Sequence, residues 1–191
     1  MRTETLTNVH TAALRKEMDW LTRLIEFRLA LRDNREYSEA DPLSKEWVKR
    51  LKMEQVAPQE IPESALGQYY LEHPGFEFAD RVLVALGLAV HICPRAFAKI
   101  LLYRERDEIS LYEAGGIKSS QYDGFIPTGM TWLWLVSSGK TDEYARQLAR
   151  LYKNHPVLES GIIRFSAWND SEPSGSGAIM LDKDFLVKVL G

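Results

Sequence analysis

The chain has 191 residues, 45% hydrophobic and 27% charged, enough to bury a core and to form one domain, or one domain with a small appendage. Its formal net charge of −3 gives no global field for drawing in phosphates, so nucleic-acid binding would need a local basic face. A single cysteine, Cys93, excludes an intramolecular disulfide and suits a reducing cytoplasm, which is the expected compartment.

The first residues, Met-Arg-Thr-Glu-Thr-Leu-Thr-Asn, contain no apolar h-region, so no cleaved secretion signal is expected. Leu14, Met18, Leu21, Ile25 and Leu29 recur at three- and four-residue steps and predict a packing helix over about 11–32, with Arg15, Lys16, Glu26 and Arg32 facing water. The stripe lacks the sustained heptads of a coiled coil. From 33 to 75 the chain is polar and broken by Asp41-Pro42, Ala57-Pro58, Ile61-Pro62 and His73-Pro74. Each proline biases its predecessor away from helix, which leaves room for short helices at 44–53 and 63–71 within an irregular arm.

Residues 78–92 are apolar around nearly the whole circumference, with Asp80 and Arg81 at the start, so a helix there must be enclosed by neighbours. Its longest apolar run, 82–90, is too short to cross a bilayer, which takes about 20 residues. Pro94 at a first helical position starts a second helix through about Tyr103. A strand is expected at 108–112, then a glycine-rich loop. Thr128 reads as the N-cap of a helix over 129–137, and Asp142 as the cap of another over 143–152. Short strands at 162–165 and 178–181 flank the flexible run Ser174-Gly175-Ser176-Gly177, and Asp182 caps a last short helix.

The segment from Gly115 to Val136 is the one that composition and solvation do not explain. Its first fifteen residues hold four glycines and a proline, and an apolar run follows, so the backbone bends sharply and visits positive φ. This segment resembles the Gly-Gly, then Gly-Phe-Leu-Pro-Thr-Gly-Glu-Thr, signature that precedes a helix in the N-terminal winged-helix-like domain of certain bacterial AAA+ ATPases. Those ATPases are typically encoded beside contractile, phage-tail-like injection systems. Gly115 and Gly116 fit the first pair; Gly124, Phe125, Ile126, Pro127, Thr128, Gly129 and Thr131 fit the second block, with Ile126 in the place of Leu. Met130 stands where the family usually has Glu, so a role for that carboxylate does not carry over. The resemblance covers most of the chain from about residue 18, in order: the helix opening at Trp20, the apolar helix ending at Cys93-Pro94, and the tail from Gly161 through 176–181 to Phe185-Leu186.

An ATPase resemblance makes phosphate-binding motifs the first check. Ser138-Gly139-Lys140-Thr141 resembles the end of a phosphate cradle, but Trp134 occupies the position of the required first glycine and cannot supply the turn. Asp107-Glu108 follows Arg104-Glu105-Arg106 rather than an apolar strand and fails as a metal-holding pair. His91 and Cys93, with His73 or His155, do not make a metal site, because i and i+2 on a helix end diverge. His91 reads as a core-edge histidine and Cys93 as packing. Cys93 adjoins no basic patch in the sequence, and no serine occupies a Gly-x-Ser-x-Gly elbow, so nothing supports hydrolysis. Lys118 and the amides of 115–129 could cradle an anion, yet a structural wing explains the same glycines.

The expected fold is α+β and mostly helical, with a winged-helix-like core, an N-terminal helical extension and short C-terminal strands. Its divisions are an N-terminal helix and arm at 1–75, the core at 76–165, and a flexible loop with terminal strand and helix at 166–191. That last part resembles the lead-in to an ATPase module, as in a domain cut from a longer polypeptide or a natural short paralogue. The resemblance implies a non-catalytic regulatory or docking domain with a protein partner, either the ATPase module or an injection-system component. It implies no catalytic residue, cofactor, metal or membrane. The loop residues Gly115, Gly116, Gly124, Phe125, Pro127, Thr128, Gly129 and Thr131 are then structural or interaction residues. The alternative is a DNA-binding winged-helix regulator reading the major groove through Arg95 and Lys99, with Arg104 and Arg106 following, though so few cations would bind weakly. A third reading is a stand-alone enzyme with a pocket at the glycine loop. Tyr69, Tyr70, Tyr122, Phe125, Trp132 and Trp134 are candidate anchors for a protein interface, most of them expected to be core.

Overall fold

The computed structural model describes residues 2–33, 56–105, 111–117, 119, 121–137, 141–153, 155–166, 171–173 and 175–191. Helix α1, Arg2–Asp33, begins well before the apolar stripe does, since neither glycine nor proline interrupts the sequence up to Asp33. Its stripe of Leu14, Met18, Leu21, Ile25 and Leu29 is buried as the periodicity requires. The expected helix at 44–53 lies outside the described residues. The next, expected over 63–71, forms as α2, Ala65–Glu72, where Ser64 Oγ accepts the Gly67 amide at 2.9 Å.

Helix α3, Phe78–Ile92, is buried on every side over most of its length and is the axis of the molecule. It packs against α1 and, further along the chain, against α6, α8 and both strands. At its start Asp80 reaches back to accept the Glu77 amide at 2.7 Å. Pro94 opens a 3-10 turn, Pro94–Phe97, which runs into α4, Ala98–Glu105, so the second helix starts one tight turn later than expected.

Of the strand expected at 108–112, residues 108–110 lie outside the described set, and Leu111 and Tyr112 belong to a helical turn, α5, Leu111–Ala114. The local sequence Leu-Tyr-Glu-Ala lacks the two-residue alternation a half-buried strand needs. Helix α6, Gly129–Val136, is capped by Thr128 as expected. Helix α7, Thr141–Tyr152, already includes Asp142, which therefore lies in the first turn, where its charge favours the helix start, rather than at the cap. After α8, Pro156–Glu159, come β1, Ile163–Phe165, β2, Ile179–Leu181, and α9, Lys183–Leu190, where Asp182 accepts the Phe185 amide at 2.9 Å.

The strands pair antiparallel in the register Ile163 to Leu181, Arg164 to Met180 and Phe165 to Ile179. The fold is thus α+β, mostly helical, with a two-stranded C-terminal hairpin. The hairpin lies on α3 at Gly87, where a Cβ would stand 2.6 Å from Ile163 Cδ1. One hydrophobic core takes side chains from α1, α2, α3, α6, the hairpin and α9. Among the described residues no single helix is long and apolar enough to cross a membrane.

Candidate functional site

The signature loop folds back on itself and is fastened at both ends. Gly115 and Gly116 have φ of 67° and 97°, a region that strains residues carrying a Cβ. A Cβ on Gly115 would stand 2.5 Å from the Thr131 amide nitrogen, and one on Gly116 2.4 Å from the Phe125 ring. Phe125 is buried and meets Phe97 of the 3-10 turn with ring centroids 5.2 Å apart. Ile117 and Ile126 bridge the two arms, and Gly124 lies at the tip against the Tyr122 ring.

Thr128 is the fastening point. Its amide donates to Thr131 Oγ1 at 3.0 Å, while its own Oγ1 accepts the amides of Thr131 at 3.4 Å and Gly116 at 3.2 Å. This reciprocal box satisfies donors at the start of α6 that would otherwise be orphaned in a buried place. The Pro127 carbonyl accepts the Ile179 amide at 2.9 Å, and Met130 donates its amide to the Gly175 carbonyl at 3.0 Å, so Gly129 lies against Gly175. Met130 is partly buried, and its Sδ accepts the Tyr144 hydroxyl of α7 at 3.4 Å. The cap is completed by Thr131.

Among the described residues two ionic centres lie inside the molecule. In the first, Glu17 of α1 receives Arg81 Nε at 3.0 Å and Nη2 at 2.9 Å, with the Tyr70 hydroxyl at 2.9 Å. Arg81 also reaches Glu60 at 2.6 Å, and its guanidinium lies 4.3 Å from the Tyr70 ring centre. Burial raises the pKa of the Glu17 carboxyl, and the bonds from Arg81 offset part of that rise. Burial likewise drives the Tyr70 phenol well above its usual range, so it stays a donor.

In the second centre, Asp80 Oδ2 receives Arg150 Nη2 of α7 at 2.5 Å, and Asp80 Oδ1 faces His155 Nε2 at 3.4 Å. Arg150 also pairs with Glu77 at 2.7 Å. His155 is buried, with Trp132 edge-on at 5.4 Å, and its two ring nitrogens make no hydrogen bond among the described residues. Burial lowers its pKa to about 4; Asp80 favours the proton and Arg150 opposes it. With Arg150 already neutralising Asp80, the imidazole stays neutral at pH 7. Both centres join parts of the chain distant in sequence, and Glu60, Tyr70 and Arg81 of the first and Glu77 of the second also line a cavity of about 370 Å³. Their signal was present as charges set into apolar faces at Glu17, Asp80 and Arg81, but sequence spacing could not pair them with Arg150 and His155.

The remaining sequence candidates scatter. Lys99 pairs with Glu26 of α1 at 2.9 Å, which ties one of the two cations of the DNA reading to the fold. Arg95 is exposed beside the end of α3. His91 is exposed rather than at the core edge, because the last turn of α3 emerges from the interior. Five of the six aromatic anchor candidates are buried, and Tyr122 is partly so, which assigns them to packing. Among the described residues no group of three or more His, Cys, Asp or Glu is placed to hold a metal. Lys118, Arg106, Asp107, Glu108, Lys140 and Ser174 lie outside the described residues, as does the side chain of Arg104.

No family model, no curated protein and no solved structure matches the chain.

Proposed function

We propose that this chain is a non-catalytic docking domain with a winged-helix-like core, of the kind that accompanies AAA+ ATPases of contractile injection systems. The observation that carries this reading is the use of the signature residues. Phe125, Pro127, Thr128, Gly129 and Thr131 are all buried, and they bond or pack onto α6, the 3-10 turn and β2. Such a loop shapes a scaffold. Apolar side chains remain on the outside of α2 and α9, two helices that pack on each other: Leu71 is 54% exposed and Val187 59%. Exposed apolar groups on adjacent elements suit a protein contact better than a charged ligand.

Calorimetric titration against the ATPase module encoded with the same organism's injection genes tests the proposal. Saturable binding is expected, weakened by Leu71→Asp together with Val187→Asp, with no heat from ATP and magnesium. Micromolar ATP binding lost on Lys140→Ala would contradict it. So would sequence-selective duplex DNA binding abolished by Arg95→Ala with Lys99→Ala, which is the outcome the regulator reading requires.

A further inference from the structure

A cavity of about 290 Å³ opens where α1, the end of α3, the 3-10 turn and the end of α9 meet. Its floor is apolar: Leu14 and Met18, one helical turn apart on α1, face Ile92 and the thiol of Cys93 where α3 ends. Leu190 of α9 forms one lip and keeps 46% of its surface in solvent. Around the mouth stand Arg15, Arg95 and Asp19. Among the described residues neither guanidinium makes an ion pair or a hydrogen bond, in contrast to those of Arg81, Arg146 and Arg150, each of which is paired. Arg15 comes from α1 and Arg95 from the 3-10 turn, so only the fold brings the two guanidinium groups to one opening beside Cys93. The sequence, which shows Cys93 with a single nearby cation, concealed this.

An apolar floor beneath two unpaired guanidinium groups and one carboxylate is complementary to a molecule with an apolar body and one anionic head. The volume lies at the lower edge of ordinary small-molecule sites and excludes a large cofactor. Guanidinium presents paired N–H donors in the plane that a carboxylate oxygen pair matches. We infer that this cavity binds an amphiphilic monocarboxylate of medium acyl length, its chain along Leu14, Met18, Ile92 and Cys93 and its carboxylate between Arg15 and Arg95. Asp19 opposes the head group and limits its affinity. The cavity shares α9 with the docking contact, through Leu190, but it is tested with a small carboxylate and no protein partner, so it stands or falls independently of that contact.

Sodium decanoate, below its micelle concentration, is the probe. Titration calorimetry should show one saturable site, and decanol, which has the same chain without the charge, should bind more weakly. Because Cys93 is the single cysteine, its alkylation by iodoacetamide reports occupancy directly, and decanoate should slow it. Arg15→Gln with Arg95→Gln should weaken decanoate by about tenfold or more, roughly what one charge-assisted hydrogen bond supplies. Asp19→Asn should tighten it. All three positions are exposed, so the variants are expected to keep the parent's far-UV circular dichroism. Equal binding of decanol and decanoate, an unprotected Cys93, or affinity indifferent to the arginines would overturn the inference. Displacement of decanoate by duplex DNA bound at the same arginines would overturn it as well, and would assign them to phosphates.

Discussion

His155 is the residue whose chemistry most exceeds what a core position requires. An imidazole held near a pKa of about 4 in the folded protein, against 6.5 when unfolded, gives stability a definite dependence on pH. Above pH 6.5 the ring is neutral in both states and contributes no penalty. Between 6.5 and 4 the unfolded chain takes up a proton that the folded chain refuses, so stability falls as the pH falls, by about 3 kcal/mol in all at 1.36 kcal/mol per unit. Glu17 works in the opposite direction, because its raised folded pKa lets the folded state gain a proton before the unfolded one does. A raw pH profile therefore mixes the two. The difference between the parent and His155→Gln isolates the imidazole: the parent should lose more stability than the variant between pH 6.5 and 4 in urea unfolding. Parallel profiles would show that the ring titrates alike in the folded and unfolded states, and a parent that gains stability over the variant as the pH falls would show that Asp80 keeps it charged. Arg81 illustrates the companion rule. Removing it would leave Glu17 buried without its counter-ion, a loss of the order of 3–5 kcal/mol for such pairs, whereas replacing both partners can be nearly neutral.

At the scale of elements, the clasp from Gly115 to Thr131 converts a run of flexible residues into a rigid entry to α6. Gly116→Ala would place a methyl in the Phe125 ring and force a left-handed φ on alanine, so the destabilisation should exceed the 1 kcal/mol or so expected for loss of the Thr128 cap in Thr128→Ala. Thermal unfolding of both variants checks the order, and unaltered midpoints in both would mean that the loop serves a ligand instead of the scaffold. Much of this element could be read in the sequence. Thr128 sits where a cap is needed, and the glycines announce positive φ without saying which ones adopt it. Gly115 and Gly116 do and Gly129 does not, because Gly129 is small for a different reason, the approach of Gly175. Strand propensity misled at Leu111 and Tyr112, where four residues between a helix and a turn are too few to show a period. The Arg15 and Arg95 opening and the Asp80, Arg150 and His155 centre were illegible because each joins elements that only packing brings together.

At the scale of the whole molecule, the question is whether α1 is an extension or part of the folding unit. Periodicity alone permits either, since an amphipathic stripe can pack on its own domain or on a partner. The structure places Leu21, Leu24 and Ile25 of α1, Val82 to Leu86 of α3, and Trp132 and Leu133 of α6 in a single core with no solvent exposure at any of them. The buried bond between Glu17 and Arg81 adds a polar tie across the same contact, and Arg28 of α1 donates to the Trp134 carbonyl near the end of α6. Opening α1 from the rest would expose the largely apolar face of α3 and would break the bonds between Arg81 and Glu17. The centre of α1 should therefore open only with the whole domain. Native-state hydrogen exchange tests this, because amides that open in one cooperative unit share one opening free energy. Amides of residues 18–29 are expected to match those of 82–89 and 131–136 and to respond to urea with the same slope. A lower opening free energy and a shallower slope confined to α1 would show that it detaches alone, making it a separable arm rather than one wall of the core.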